Sequence, residues 1–254
     1  MADAKGPKAG RVALVTGAAA GIGNAFARRL AFEGATLIAV DRTSAPSLAS
    51  DLKMCGAPAA QFYQADVSDE LQVRQFCGAV LNQFGRCDIL VNNAGISRPA
   101  PFAEITLNDF RHMMSVNMES VFLTCRQLVP SMIGHKYGRI VNLASGTFGI
   151  VAANFTHYIA SKGAVIGFTR GLATDVGEHG ITVNCIAPGL TRTPATEFLF
   201  ADGHSHTRFF ENRAIKRPGA PDDLVGALSF LTSDDSAFMT GQTLIVDGGE
   251  LRSI

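Results

Sequence analysis

Seven short runs rich in β-branched and apolar residues punctuate the chain: Val12–Thr16, Thr36–Val40, Gln61–Gln64, Ile89–Val91, Ile140–Leu143, Thr182–Ala187 and Leu244–Val246. Several are apolar throughout instead of alternating with polar positions, as in parallel strands covered on both faces. Stretches of helical spacing fall between them: Ile22–Glu33, Ala45–Met54, Glu70–Phe84, Leu107–Met132, Phe155–Gly177 and Asp222–Leu231. Gly34 stands where the first helix should stop, Thr106 with Asp109 reads as an N-terminal capping pair, and Pro221 suits the first turn of the last helix. Repeated strand–helix units predict an α/β fold, one doubly wound Rossmann-type parallel sheet with helices on both faces. No linker, low-complexity tract or short-period repeat divides the chain. Residues 11–254 are therefore expected to form a single domain, preceded by a flexible tail over residues 1–10.

Composition narrows the classes. Of 254 residues, 47% are hydrophobic, enough for a large core, and the net charge is zero, which removes the electrostatic case for nucleic acid or an anionic membrane. No stretch reaches the roughly 18 apolar residues of a membrane span, and the first ten residues lack the apolar centre of a signal peptide. Cys55, Cys77, Cys87, Cys125 and Cys185 are scattered, odd in number and without a C-x-x-C pair, which reads as reduced, mostly buried thiols in a cytoplasmic protein.

Thr16-Gly17-x-x-x-Gly21-Ile22-Gly23 lies at the first strand-to-helix turn. Gly17 lets the chain turn sharply, Gly21 leaves room for backbone beside a phosphate, and Gly23 permits close helix packing. The amides of the helix start, at the positive end of its dipole, then face a pyrophosphate. The contacts expected here are Gly17, Ala20, Gly21, Ile22 and Gly23. Asp41 ends the second strand, 18 positions after Gly23; a carboxylate there accepts both hydroxyls of an adenosine ribose and repels a 2′-phosphate. Arg42 softens that repulsion, but Ala20 adds no positive charge, so NAD is predicted over NADP. Asp66 and Val67 are placed to flank adenine. Asn93, Ala94 and Gly95, in the run Asn92-Asn93-Ala94-Gly95, let backbone approach the cofactor while Asn side chains brace adjacent strands.

Tyr158 and Lys162 are four apart and share a helix face. A lysine ammonium and a positive nicotinamide beside it would favour the phenolate of Tyr158. Ser145 follows the strand Ile140–Leu143, at the end where doubly wound sheets place ligands, and its hydroxyl can bind the substrate oxygen that Tyr158 protonates or deprotonates. Asn117 is a weak helix former inside the stretch Leu107–Met132, with a role in holding a water that links Lys162 to solvent.

Together these motifs resemble the short-chain dehydrogenase/reductase family, and they span nearly the whole chain: the glycine turn, Asp66, Asn92 to Gly95, Asn117, Ser145, Tyr158-x-x-x-Lys162 and Pro188-Gly189-x-x-x-Thr193. The resemblance implies a seven-stranded sheet in the order 3-2-1-4-5-6-7 and an Asn117–Ser145–Tyr158–Lys162 tetrad. It counts Tyr158 and Lys162 among the cofactor contacts, with Lys162 bonding the nicotinamide ribose. It also implies that Pro188, Gly189, Thr191 and Thr193 lie at the carboxamide, and that the protein is a homotetramer. Ala144, where a second serine is frequent, and Cys185, where alanine is frequent, are minor departures. The stretches Phe84 to Gly95, Thr156-His157-Tyr158-Ile159 and Gly167 to Ala173 are similar to the 1-phenylethanol dehydrogenases of that family; Gly167 to Ala173, with Ser233-Asp234-Asp235 and Thr240 to Leu244, is also similar to its pyridoxal 4-dehydrogenases.

A lid over residues 190–217 is expected to cover the site. Phe198, Leu199, Phe200, Phe209 and Phe210 within it, with Phe148, Ile150 and Phe155, suggest an apolar, aromatic wall and a small hydrophobic secondary alcohol or ketone as substrate. His204 and His206 lack the acid or cysteine neighbours of a metal site, so no metal is expected. Two further readings stand beside the alcohol dehydrogenase: a 3-oxoacyl-thioester reductase, and an NAD-sensing protein with idle chemistry.

Overall fold

A computed structural model describes residues 6–150, 152–200 and 213–251. Strands β1 (Val12–Thr16), β2 (Thr36–Asp41), β3 (Ala60–Gln64), β4 (Ile89–Asn92), β5 (Gly138–Leu143), β6 (Ile181–Pro188) and β7 (Thr243–Val246) form one parallel sheet in the order β3-β2-β1-β4-β5-β6-β7. The order turns back between β1 and β4, which opens a crevice at the carboxyl ends of the strands.

Alternate residues of each strand feed two cores. Ala13 and Val15 of β1 join Phe26 and Leu30 of α1 (Gly21–Phe32), Leu52 of α2 (Leu48–Met54) and Leu224 and Leu228 of α7 (Asp222–Leu231). Val12 and Leu14 face the other way. They join Phe76 of α3 (Glu70–Phe84), Leu128 and Met132 of α5 (Ser120–His135) and Val165 of α6 (Thr156–Val176). Burying a Leu or Phe side chain contributes roughly 1.5–3 kcal/mol, so each core stabilises its own helical layer on the shared sheet.

Three expectations need correction. Residues 6–10 are not a tail: Lys8 is buried, its amide donates to Glu33 O (2.8 Å), and its ammonium donates to Ser229 O (3.1 Å). The second helix starts at Leu48 instead of Ala45, because Pro46 interrupts the helical entry and leaves a turn closed by Leu48 N to Ala45 O. The long helix expected over Leu107–Met132 is three pieces: α4 (Leu107–Met114), a wider π-helical turn over Ser115–Glu119, and α5. The Thr106–Asp109 capping box begins α4 as expected.

Candidate active site

A cavity of about 970 Å³ opens at the carboxyl ends of the strands. Every predicted cofactor and catalytic residue lines it except Gly23 and Asn117. Gly23 packs against the turn instead: a Cβ there would lie 2.1 Å from Gly17 O.

The β1-to-α1 turn is built to keep side chains out. Gly17 and Gly21 have φ of 65° and 57°. A Cβ on Gly17 would meet Asn93 Nδ2 at 2.7 Å, and one on Gly21 would meet Thr193 at 3.3 Å across the groove. Asn93 Nδ2 donates to Thr16 O (2.9 Å) and Gly17 O (3.0 Å), while Thr16 Oγ1 accepts from the amides of Asn93 and Ala94 (both 3.1 Å). The expected bracing of β1 against β4 is therefore direct. Asn24, unremarked in the sequence, holds Ala18 O (3.1 Å) from below.

Asp41 accepts from Ala19 N (2.9 Å) and Thr43 N (2.8 Å) and still lines the groove. Asp66 lies beside Val67 and Arg42. Burial raises its carboxyl, but the hydroxyl and amide of Ser68 and the charge of Arg42 outweigh that and hold it below the usual range. A bare backbone turn, a helix N-terminus and a carboxylate at the end of β2 fit an adenine dinucleotide.

Ser145 follows β5. Its Oγ accepts from Thr147 N (3.2 Å) and from Thr147 Oγ1 (2.8 Å), and it hydrogen-bonds the phenol of Tyr158. Tyr158 and Lys162 both rise from α6 into the cavity, with Lys162 Nζ 6.0 Å from the Tyr158 ring centroid. Burial raises the phenol above its ordinary value, and the Ser145 hydroxyl opposes that shift. The lowering expected from the Lys162 charge is not among the influences on this balance. Burial pushes the ammonium of Lys162 down to about 8, with the thiol of Cys185 pulling the other way, and its hydrogen bond goes to Leu143 O (2.7 Å). The chain's own groups therefore favour a neutral phenol.

Asn117 holds protein, not the cavity. Its Oδ1 accepts from Ile96 N (2.8 Å), and its Nδ2 donates to Ile96 O (3.0 Å) and Ser161 Oγ (2.9 Å). The π-helical turn presents this amide to the loop after β4. A Cβ on Gly95 would lie 3.2 Å from Asn117 Oδ1 and 3.4 Å from Lys162 Nζ, so glycine lets the two groups share one space. Sequence reasoning missed Thr147 and Ser161, since ordinary hydroxyl residues carry no signal without their neighbours.

Beyond the predicted cofactor and catalytic residues, the apolar side chains lining the cavity include Ile96, Ile150, Leu199 and Leu251 with Phe155; of these, Ile150, Leu199 and Phe155 belong to the expected wall. Phe148, Phe198 and Phe200, expected in an aromatic wall, lie outside the cavity lining; Phe148 packs against Gly163 and Phe200 against Arg192. Phe209, Phe210, His204 and His206 lie outside the described residues. Among those described, no cluster of His, Cys, Asp or Glu could hold a metal, no helix is long and apolar enough to cross a membrane, and all five cysteines are free thiols.

A family model described as enoyl-(acyl carrier protein) reductase matches residues 17–250. The 3-oxoacyl-[acyl-carrier-protein] reductase FabG of Thermotoga maritima is 37% identical over 245 residues, covering 94% of this chain and 97% of the relative. The (2S)-[(R)-hydroxy(phenyl)methyl]succinyl-CoA dehydrogenase subunit BbsD of Thauera aromatica is 37% identical over 242 residues, covering 94% and 96%. The crystal structure of a gluconate 5-dehydrogenase from Burkholderia cenocepacia J2315, in complex with NADP and tartrate, superposes with a TM-score of 0.92 at 36% identity and covers 97% of each chain.

Proposed function

Because the chain belongs to the short-chain dehydrogenase/reductase family, we propose that it interconverts a secondary alcohol and its ketone with NAD(H), using Tyr158 as the proton-transfer group. The observation that carries this reading is the Ser145–Tyr158 hydroxyl pair, set with Lys162 in the cavity that also contains the glycine turn and Asp41. Hydride chemistry is what a bound nicotinamide would supply. The chain's residues do the rest. Ser145 holds the substrate oxygen, and Tyr158 donates its proton to a ketone or, as phenolate, accepts one from an alcohol. Lys162 would hold the ribose hydroxyls of the bound nucleotide and supply positive charge. Asn117 positions Ile96 and, through Ser161, the helix carrying Tyr158. Asp41 favours NAD because a 2′-phosphate would meet its charge, although the Burkholderia structure contains NADP.

Two observations pull the substrate in different directions. The Thermotoga relative favours a 3-oxoacyl thioester, the reading best supported by likeness to other proteins. The mostly aliphatic apolar lining favours a neutral, hydrophobic carbinol. The Thauera relative, whose name contains a hydroxy(phenyl)methyl group on a thioester, is compatible with either. Steady-state rates with an aryl methyl ketone, a short 3-oxoacyl thioester and gluconate, each with both coenzymes, separate these readings. A kcat/KM higher for the thioester with NADPH would replace the hydrophobic-ketone reading. Turnover of none of them despite tight NADH binding would favour a sensor. Tyr158→Phe should lose 10²–10⁴-fold in kcat, the range of general acid–base catalysis, and retain NADH affinity.

We carry the homotetramer as part of this proposal. Exposed Phe110 and Phe122 on α4 and α5, with Phe230 and Phe238 near β7, support it; light scattering on the purified protein tests it.

A further inference from the structure

Beyond β7, the chain makes a turn that closes the substrate end. Asp247 accepts from the amides of Gly249 (2.9 Å), Glu250 (3.2 Å) and Leu251 (2.7 Å), so one buried carboxylate organises the whole turn. Gly248 and Gly249 have φ of 74° and 80°. A Cβ on Gly249 would lie 3.0 Å from Ala214 Cβ, and Ile215 N donates to Gly248 O (2.8 Å). The returning limb of the lid region is therefore docked directly on this turn.

Arg213 fastens the arrangement. Its side chain is 2% exposed, and Nε donates to Glu250 Oε2 (2.8 Å). Its Nη1 donates to Leu190 O and Arg217 O (both 3.3 Å), on the outgoing and returning limbs. The same base carries the pairs Arg192 N to Gly219 O (2.8 Å) and Gly219 N to Leu190 O (3.0 Å). A buried guanidinium with charged and carbonyl partners fixes geometry, because each lost partner leaves a desolvated donor. The turn then delivers Leu251 against the loop that carries Ser145. A Cβ on Gly149 would lie 2.9 Å from both Leu251 methyls, and Leu251 and Glu250 line the cavity.

We propose that Leu251 is a specificity-determining residue, the end wall that limits the apolar substituent on the carbinol carbon, and that Arg213 and Glu250 are positioning residues that hold it there. The inference rests on the secondary-alcohol reading above and deepens it: the substrate class is a neutral carbinol whose larger group is aliphatic or aryl and points towards Leu251.

The test measures kcat/KM on a homologous series of methyl ketones ending in an aryl methyl ketone. Leu251→Ala should shift preference towards the larger ketones by roughly tenfold, since a methylene in such a pocket is worth about 10–200-fold in discrimination. Leu251→Phe should shift it in the opposite direction. Glu250→Ala should raise KM for ketones several-fold with a smaller change in kcat and an unchanged NADH dissociation constant, and Glu250→Gln, which keeps an acceptor for Arg213, should recover most of that loss. Preference ratios within twofold of wild type in both Leu251 variants would overturn the proposal while leaving the alcohol dehydrogenase reading intact. A wild-type protein that turns over no ketone would overturn both.

Discussion

Lys8 and Lys162 are both almost completely buried, at 3% and 5% exposure, and burial lowers the pKa of each. Their surroundings differ. Lys8 lies at the amino ends of the strands, beside a polar cavity of about 230 Å³, and the charges of Glu33, Asp234 and Asp235 all oppose its shift. Glu33 is itself held by Arg29 Nε (2.6 Å) and by the Ser229 hydroxyl. Lys162, at the other end of the sheet, has one carbonyl and the opposing influence of the Cys185 thiol. At one end of the sheet the charges of neighbouring carboxylates offset the burial of the ammonium, with Arg139 working against them. The other leaves an ammonium short of partners facing a groove, where a ligand's hydroxyls can complete its hydrogen bonds. A buried charge with internal compensation serves the fold; one without it serves a ligand.

The contrast breaks most sharply under substitution of the lysines. Lys162→Met should reduce kcat by 10²–10⁴-fold without lowering the melting temperature, because the replaced ammonium gains little inside the protein; a large fall in melting temperature with residual activity would reverse the assignment. At the other end, Lys8→Met and Glu33→Gln should each lower stability and leave kcat unchanged. Their double variant should lose less than the sum, with a coupling of about 0.5–3 kcal/mol, read from denaturant midpoints. Additivity would mean that Glu33 does not compensate Lys8.

The same contrast explains what could be read from the chain beforehand. Elements with local signals had predictable ends. Glu70–Phe84 begins where Asp69 caps two amides and stops at Gly85, whose φ is 71°. The strands were legible because burial on both faces leaves almost no polar positions, as in β1. The nucleotide half of the site was legible because glycine spacing is a local code. The rest depends on distant partners. The π-helical turn exists where Asn117 meets Ile96, 21 positions away, and the order in residues 6–10 depends on Glu33 and Ser229. The phenylalanines carried no information on direction, so among the described residues Phe155 lines the cavity while Phe148, Phe198 and Phe200 do not, and the wall is mostly aliphatic. Arg213 and Glu250, 37 positions apart, gave no sign of pairing.

Asp41 sharpens the comparison at the groove itself. Asp41→Ser should raise the NADP-to-NAD ratio of kcat/KM by about tenfold, equivalent to about 1.4 kcal/mol, as the repulsion of a 2′-phosphate is removed. KM for NAD should rise as well, since Asp41 also ties Ala19 N and Thr43 N. A ratio that does not move would place coenzyme choice elsewhere in the groove.

The dependence of stability on pH separates the two ends cleanly. Lys162 titrates near 8 in the fold and at the ordinary 10.5 when unfolded. Below about pH 8 both states hold the proton, and the burial penalty is constant. Between about 8 and 10.5 the unfolded chain holds a proton that the fold has shed, so this group makes stability rise with pH by at most about 1.4 kcal/mol per unit. Tyr158 acts later and with opposite sign: its phenol, raised by burial, keeps its proton above the ordinary value of 10, so stability falls there. Lys8 contributes a rise of its own in both wild type and Lys162→Met, and therefore cancels from their difference. Urea midpoints taken from about pH 7.5 to about pH 9.5 should climb more steeply in wild type than in Lys162→Met. Parallel curves would show that the ammonium in the groove is already compensated, as Lys8 is, and the distinction between the two ends would fail.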